Sequence, residues 1–212
     1  MPKKRRQKGS GLVSFLIASS LSVIVTALAI SLLFSSLKRT SLRHQELSLL
    51  QSMHSVLSMM KRDLLRAGYS GSDLGVTKLE GASQTYFILQ DQHRTLIAVA
   101  YASTTTNSRR IYTNVVYQRN DKHPQKLRIC AKQLPRVITV NEASNFNAHF
   151  GHTCNTLFDA EHIIVTHFEI RQYDSLSRTH LPSMLRITLE IAVRASPWIK
   201  KSSSFVVKQR NV

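Results

Sequence analysis

No acidic residue occurs before Glu46, and no charge of either sign occurs in residues 12–37, LVSFLIASSLSVIVTALAISLLFSSL. Neither Pro nor Gly interrupts residues 12–67. The missing acids deny the N-terminal part any carboxylate chemistry. The uncharged run excludes a solvated surface helix there, because such a helix carries a polar face. Without Pro or Gly, nothing in the local chemistry stops a helix before Gly68. The chain also lacks a phosphate-cradling glycine loop, a nucleophile elbow and a paired acid/base site. Asp159 and Glu161 stand two apart at a loop-to-strand junction, an arrangement too common to carry hydrolytic chemistry. No internal repeat or low-complexity linker divides the chain. A non-enzyme without a cofactor is therefore expected.

What is present is strongly basic: 29 Lys plus Arg against 12 Asp plus Glu, a formal net charge of +17. Five of the cations (Lys3, Lys4, Arg5, Arg6, Lys8) precede Gly9. The 26 uncharged residues that follow would rise about 39 Å as a helix, more than the roughly 30 Å hydrocarbon core of a bilayer. A buried helix of a soluble protein is one alternative, and 26 residues without charge is long for it. A cleaved secretory signal is another, but its apolar region spans about 7–15 residues. A signal anchor fits better. The basic cluster outnumbers Lys38, Arg39 and Arg43 beyond the segment, so the positive-inside bias keeps the N-terminus cytoplasmic and exports the rest. In an exported domain Cys130 and Cys154 would form one disulfide; in the cytosol they would more often stay unlinked.

Beyond the uncharged run, apolar residues recur at Leu42, Leu49, Met53, Val56, Met60 and Leu64, with Leu50, Leu57 and Leu65 widening the face. This spacing predicts a continuing amphipathic helix that ends at Gly68, a natural C-cap. Strands are expected at 86–89 and 95–101, joined by the polar link QDQHR, then at 111–118, 126–130 and 137–140. Residues 163–173 and 184–193 are the clearest strands. In the latter, Met184, Arg186, Thr188, Glu190 and Ala192 alternate with Leu185, Ile187, Leu189, Ile191 and Val193, which implies one wet and one packed face. Phe205, Val206 and Val207 would close the edge after a break at Pro197. Residues 141–158 are expected as an exposed loop. The fold class is α+β: a long N-terminal helix packed on an antiparallel β-sheet head.

The segment GSGLVSFLIA (9–18), with its basic leader and long apolar helix, resembles the processing segment of type IV prepilins and pseudopilins. KRDLLRAGY (61–69) is similar to the corresponding segment of minor pilins of the PilW and prepilin-peptidase-dependent protein B type, and LRITLEI (185–191) to their last long strand. The resemblance implies a pilin-like fold and cleavage after Gly9 by prepilin peptidase. Ser10 would be the first mature residue, methylated on its amine, and Leu12, Val13, Phe15 and Leu16 would fall on the hydrophobic positions of an assembly helix. Removing the five leader cations would lower the net charge from +17 to +12. Two positions depart from the pattern: Ser10 replaces the usual Phe, and Ser14 replaces a glutamate that neutralises the mature amine of an adjacent subunit in a filament. A buried unpaired charge costs several kcal/mol, so bulk subunits need that acid and a subunit at the tip does not. A divergent subunit that merely tolerates serine is the plainer alternative.

The resemblance thus parses the chain into a basic leader (1–9), a transmembrane and assembly helix (10–37) and a periplasmic head (38–212) that includes the amphipathic second half of the helix. The implied protein is a single-pass inner-membrane minor pilin that starts or caps a type IV pilus, with other minor pilins and the major pilin as partners. The alternatives are a minor pseudopilin of a type II secretion system and a pilus-borne module that binds extracellular DNA. For the last, Arg109, Arg110, Arg119, Lys122, Lys126, Arg128, Lys132 and Arg136 fall in a stretch poor in acids, with Tyr112 and Tyr117 interleaved. Such a set could contact DNA, contact an acidic protein surface, or simply be solvated. His149, His152, Cys154, His162 and His167 are metal-ligand types, but their spacing matches no defined zinc set and a disulfide would withdraw Cys154. No metal is expected.

Overall fold

The computed structural model describes residues 10–71, 75–106, 109–120, 122–151, 154–173 and 184–209. The chain divides into two units, 1–45 and 46–212. Helix α1 (Ser10–Arg66) begins in the first and ends in the second.

In the first unit every described side chain from residue 11 to 45 is exposed, including Leu12, Phe15 and Phe34 at 70% or more. A soluble unit could not leave so continuous an apolar surface in water. The helix is long and apolar enough to cross a membrane. Four of its hydroxyls are paired with the helix backbone: Ser19, Ser20 and Ser35 donate to the carbonyls of Leu16, Ile17 and Leu32 at 2.9–3.0 Å, and Thr26 donates to the Ser22 carbonyl. That pairing removes the main cost of a hydroxyl in lipid.

In the second unit, residues 46–66 of α1 bury Leu49, Met53, Val56, Leu57, Met60 and Leu64. The stripe follows from their three- and four-residue spacing. Leu50 stays 42% exposed, so the buried face is narrower than expected, and Leu42 in the first unit is also exposed. Each fully buried side chain of this kind contributes about 1.5–3 kcal/mol, so the stripe outweighs any one polar contact at the joint.

Five antiparallel strands form a meander in the order β1 (Tyr86–Gln90), β2 (Arg94–Thr106), β3 (Arg109–Asn120), β4 (Arg128–Leu134), β5 (Cys154–Thr156). A second meander holds β6 (Ile163–Tyr173), β7 (Met184–Val193) and β8 (Ser196–Lys208). Two sheets thus stand where the alternation suggested one. The helix stripe, Ile97, Val99, Val115 and Tyr117 of the first sheet, and Val165, Phe168, Ile187 and Leu189 of the second share one core. The opposite face of the first sheet carries Leu96, Ala98, Ala100, Val116 and Cys130, packed under Leu79, Ile138 and Phe146.

Three expectations need correction. Residues 137–140 are not a strand: Thr139 makes a single bridge to Glu80, then caps α2 (Val140–Ser144). Thr139 and Glu142 form a reciprocal capping box, which turns the backbone helical just where a ladder would have to continue. Residues 141–158 are not an exposed loop. They hold α2, α3 (Phe146–Phe150) and β5, and they bury Ala143, Phe146 and Phe158. Finally, Pro197 does not precede the last strand but lies inside β8, which runs along the sheet edge, where a missing N–H costs no ladder bond. The wet face of β7 is as expected at Met184, Arg186 and Glu190, but Ala192 is buried beside a register shift.

Candidate functional site

Of the processing segment, Gly9 lies outside the described residues. Ser10 is the first residue of α1, and Leu12, Val13, Ser14, Phe15 and Leu16 follow with exposed side chains. Among the described residues of the first unit, none buries these side chains.

The segment DLLRAGY (63–69) forms the joint between helix and sheet. Tyr117 of β3 donates its hydroxyl to one oxygen of Asp63 at 2.6 Å, and Tyr101 of β2 donates to the other at 3.1 Å. Burial and the neighbouring Asp63 charge push both phenols above the ordinary tyrosine range, Tyr117 further than Tyr101. The Arg66 guanidinium stands 5.9 Å over the Tyr101 ring. Gly68 adopts φ +83°, a left-handed turn that other residues reach only with strain. That turn aims the Gly68 amide at the Ala100 carbonyl (3.1 Å), while the Tyr69 carbonyl accepts from Ala102 (2.8 Å). The motif therefore ends the helix, grips the sheet from below and bonds the outgoing chain to β2.

Cys130 and Cys154 are bonded to each other across the β4–β5 ladder. Gln118 donates to Cys130 Sγ at 3.0 Å. The bridge ties down a three-residue strand too short to hold by itself and with it the end of the α2–α3 excursion.

The eight cations singled out above are not gathered on one surface. Arg110, Arg128 and Lys132 belong to the face of the first sheet that α2 and α3 cover, and Arg119 to the opposite face. Arg119 donates to the Pro124 and Thr166 carbonyls, and Arg128 to the Cys154 carbonyl. Lys132 sits 5.0 Å over the Phe150 ring. Arg136 pairs both amino groups with Glu142 at 2.6 and 2.8 Å, which holds the Glu142 carboxyl down to about 2. Lys122 is exposed in the turn after β3 and Lys126 half-buried beyond it. Arg109 opens β3, and its side chain lies outside the described residues. A cleft of about 540 Å³ gathers His93, Arg94, Lys122, His123, Arg128 and Asn147. Arg94 is braced there by Asp91 and by the Ser144 carbonyl.

Sequence reasoning passed over Asn114. It accepts from the Ile138 amide at 3.0 Å and donates to the Arg136 carbonyl at 3.2 Å, pinning the approach to α2 against β3. A polar residue amid the apolar alternation of β3 was the available signal. Of the metal-ligand types, Cys154 is in the disulfide, His152 lies outside the described residues, and His162 bonds Asp159 at 2.7 Å. Among the described residues no group of three His, Cys, Asp or Glu side chains converges.

Residues 42–209 match the family model described as prepilin peptidase-dependent protein B. No curated protein and no solved structure matches the chain closely. The match begins after the uncharged segment, so the head carries it and the leader motif is an independent observation.

Proposed function

The chain belongs to the prepilin peptidase-dependent protein B family, and on that premise we propose that it is a minor subunit of a filament built from pilin-like proteins. Members of this family are structural and non-catalytic; they imply processing by prepilin peptidase and association with other pilin-like subunits. The observation that carries the proposal is the conjunction of a head that matches the family model with an N-terminal helical segment, residues 12–37, that is uncharged and exposed along its whole length. Such a helix needs lipid first and neighbouring helices later.

In this reading residues 1–9 are a leader removed after Gly9, and Ser10 carries the methylated mature amine. Residues 10–37 span the inner membrane and afterwards pack in the filament, while the head is periplasmic. The family match supports the broader class, in which a pseudopilus of a type II secretion apparatus stands beside a type IV pilus, better than it supports a pilus alone. The position in the filament is argued from Ser14. With no carboxylate there, the chain cannot neutralise the amine of an adjacent subunit, and an end position avoids that buried charge.

Immunogold labelling of assembled filaments tests the placement. Label confined to one end, with Ser14→Glu spreading it along the shaft, is the expected result. Label along the whole length in the unaltered chain would refute an end position.

A further inference from the structure

Among the described residues of the head, the most exposed large apolar side chain lies at the β7–β8 tip. Trp198 is the only tryptophan in the chain and is 76% exposed. Between β7 and β8 the register passes from Ala192 opposite Lys200 to Val193 opposite Ser196. Pro197, Trp198 and Ile199 therefore have no opposite number on β7. Ile199 turns inward and is buried, and Trp198 is thrown outward. A bulge of this kind re-aims a side chain at a chosen surface.

The place of that bulge in the head can be read from its contacts. Lys201, three residues on and so within about 10 Å along the strand, sits 3.7 Å from Glu46, where the second unit begins. The backbone amide of Arg194 donates to the His162 carbonyl, and the amide of Val165 to the Gln125 carbonyl, so the β7–β8 tip, the start of β6 and the β3–β4 turn adjoin one another. The far end of β8 is marked by the contact of Gln209 with Thr85, which precedes β1. Trp198 thus belongs to the end of the head where residue 46 enters it. Only nine positions separate Glu46 from Leu37, the last residue of the uncharged run, a reach of at most about 30 Å however the chain runs.

We propose that Trp198 is an interfacial anchor: its indole seats in the headgroup layer of the same bilayer that holds residues 12–37, and fixes the base of the head there before assembly. An indole suits that layer because its ring is apolar and its N–H needs a polar partner. Lys200 and Lys201 flank it with long stems that can follow the surface and leave the charge at phosphate level, while Arg194 donates its Nε to the Ala160 carbonyl at 2.9 Å. Lys200 and Lys201 each face one carboxylate, the half-buried Glu190 at 3.6 Å and the exposed Glu46 at 3.7 Å, so the indole rather than net charge carries the contact. The proposal rests on the membrane-anchor reading of α1.

A lone tryptophan makes the test direct. The full chain is reconstituted in vesicles of three parts phosphatidylcholine to one part phosphatidylglycerol, and Trp198 emission is followed without any substitution. Lipid brominated high on the acyl chain should quench about half of the emission or more, and aqueous iodide should quench it far less than free N-acetyltryptophanamide. Carbonate extraction is run on the same vesicles. A chain that resists extraction but whose Trp198 ignores brominated lipid and yields fully to iodide would overturn the anchor role and leave the indole for a protein partner. A chain that carbonate releases would overturn the membrane-anchor reading itself, and the proposal with it.

Discussion

At the scale of single residues, Asp63 is the polar centre of the joint between helix and sheet. It accepts two phenolic hydroxyls, and hydrogen bonds to a charged acceptor are worth about 1.5–3 kcal/mol each before the cost of stranding the donors. Asp63→Ala should therefore lower the unfolding free energy by about 2–4 kcal/mol in equilibrium denaturation. Tyr117→Phe should cost less, because Asp63 keeps Tyr101. The pH dependence has a definite sign. Tyr117 keeps its proton in the folded head to well above pH 10, where an unfolded tyrosine has begun to lose it. The folded state then binds more protons, so stability is full below about pH 10 and falls as pH rises beyond it. Tyr117→Phe should flatten that fall, and a fall as steep as in the unaltered chain would rule out this origin. The end of the helix was legible in the sequence because Gly68 is a local signal. The role of Asp63 was not, because its partners stand 38 and 54 residues away.

At the scale of elements, the α2–α3 excursion is held by two independent devices. The first is the Cys130–Cys154 bridge, which closes a span of 24 residues. Replacing both cysteines with serine should cost about 2–4 kcal/mol and speed proteolysis within residues 135–153, while cleavage in β6–β8 stays slow. The second is the capping box at Thr139 with its Arg136 brace. Glu142 has its carboxyl held down to about 2, against an ordinary glutamate value of about 4.5. The stability from this group is present above about pH 4.5 and lost as pH falls toward 2. In Arg136→Gln the Glu142 resonance should titrate nearer the ordinary value by NMR; no change would mean that the capping amides alone depress it. These elements escaped the sequence reading for a physical reason. Residues 141–158 are rich in turn formers, so Ala143, Phe146 and Phe150 read as scattered apolar residues rather than as the underside of two short helices. The β1–β2 hairpin and the strands β6 and β7 were legible, because their alternation spans enough residues to outweigh other patterns.

At the scale of the whole molecule, composition and order carried the account further than any site did. An uncharged run beyond the reach of a soluble helix, followed without Pro or Gly by an amphipathic stripe and then by strands, leaves few architectures other than the one observed. The division of the strands into two sheets was not legible, since the turn at residues 157–162 changes partners without a distinctive residue pattern. The dispersal of the eight cations was equally hidden: their faces depend on the β3–β4 register and on bonds to distant carbonyls. Functional assignment rests on the family of the head together with the chemistry of the leader. The central claim is that this chain is matured by prepilin peptidase and works from the membrane outward. The most direct measurement is the intact mass and N-terminal sequence of the chain recovered from membranes of cells with and without that peptidase, beside Gly9→Ala. The account predicts a chain beginning at Ser10 only where peptidase and Gly9 are both present; an unprocessed chain in every background would contradict it.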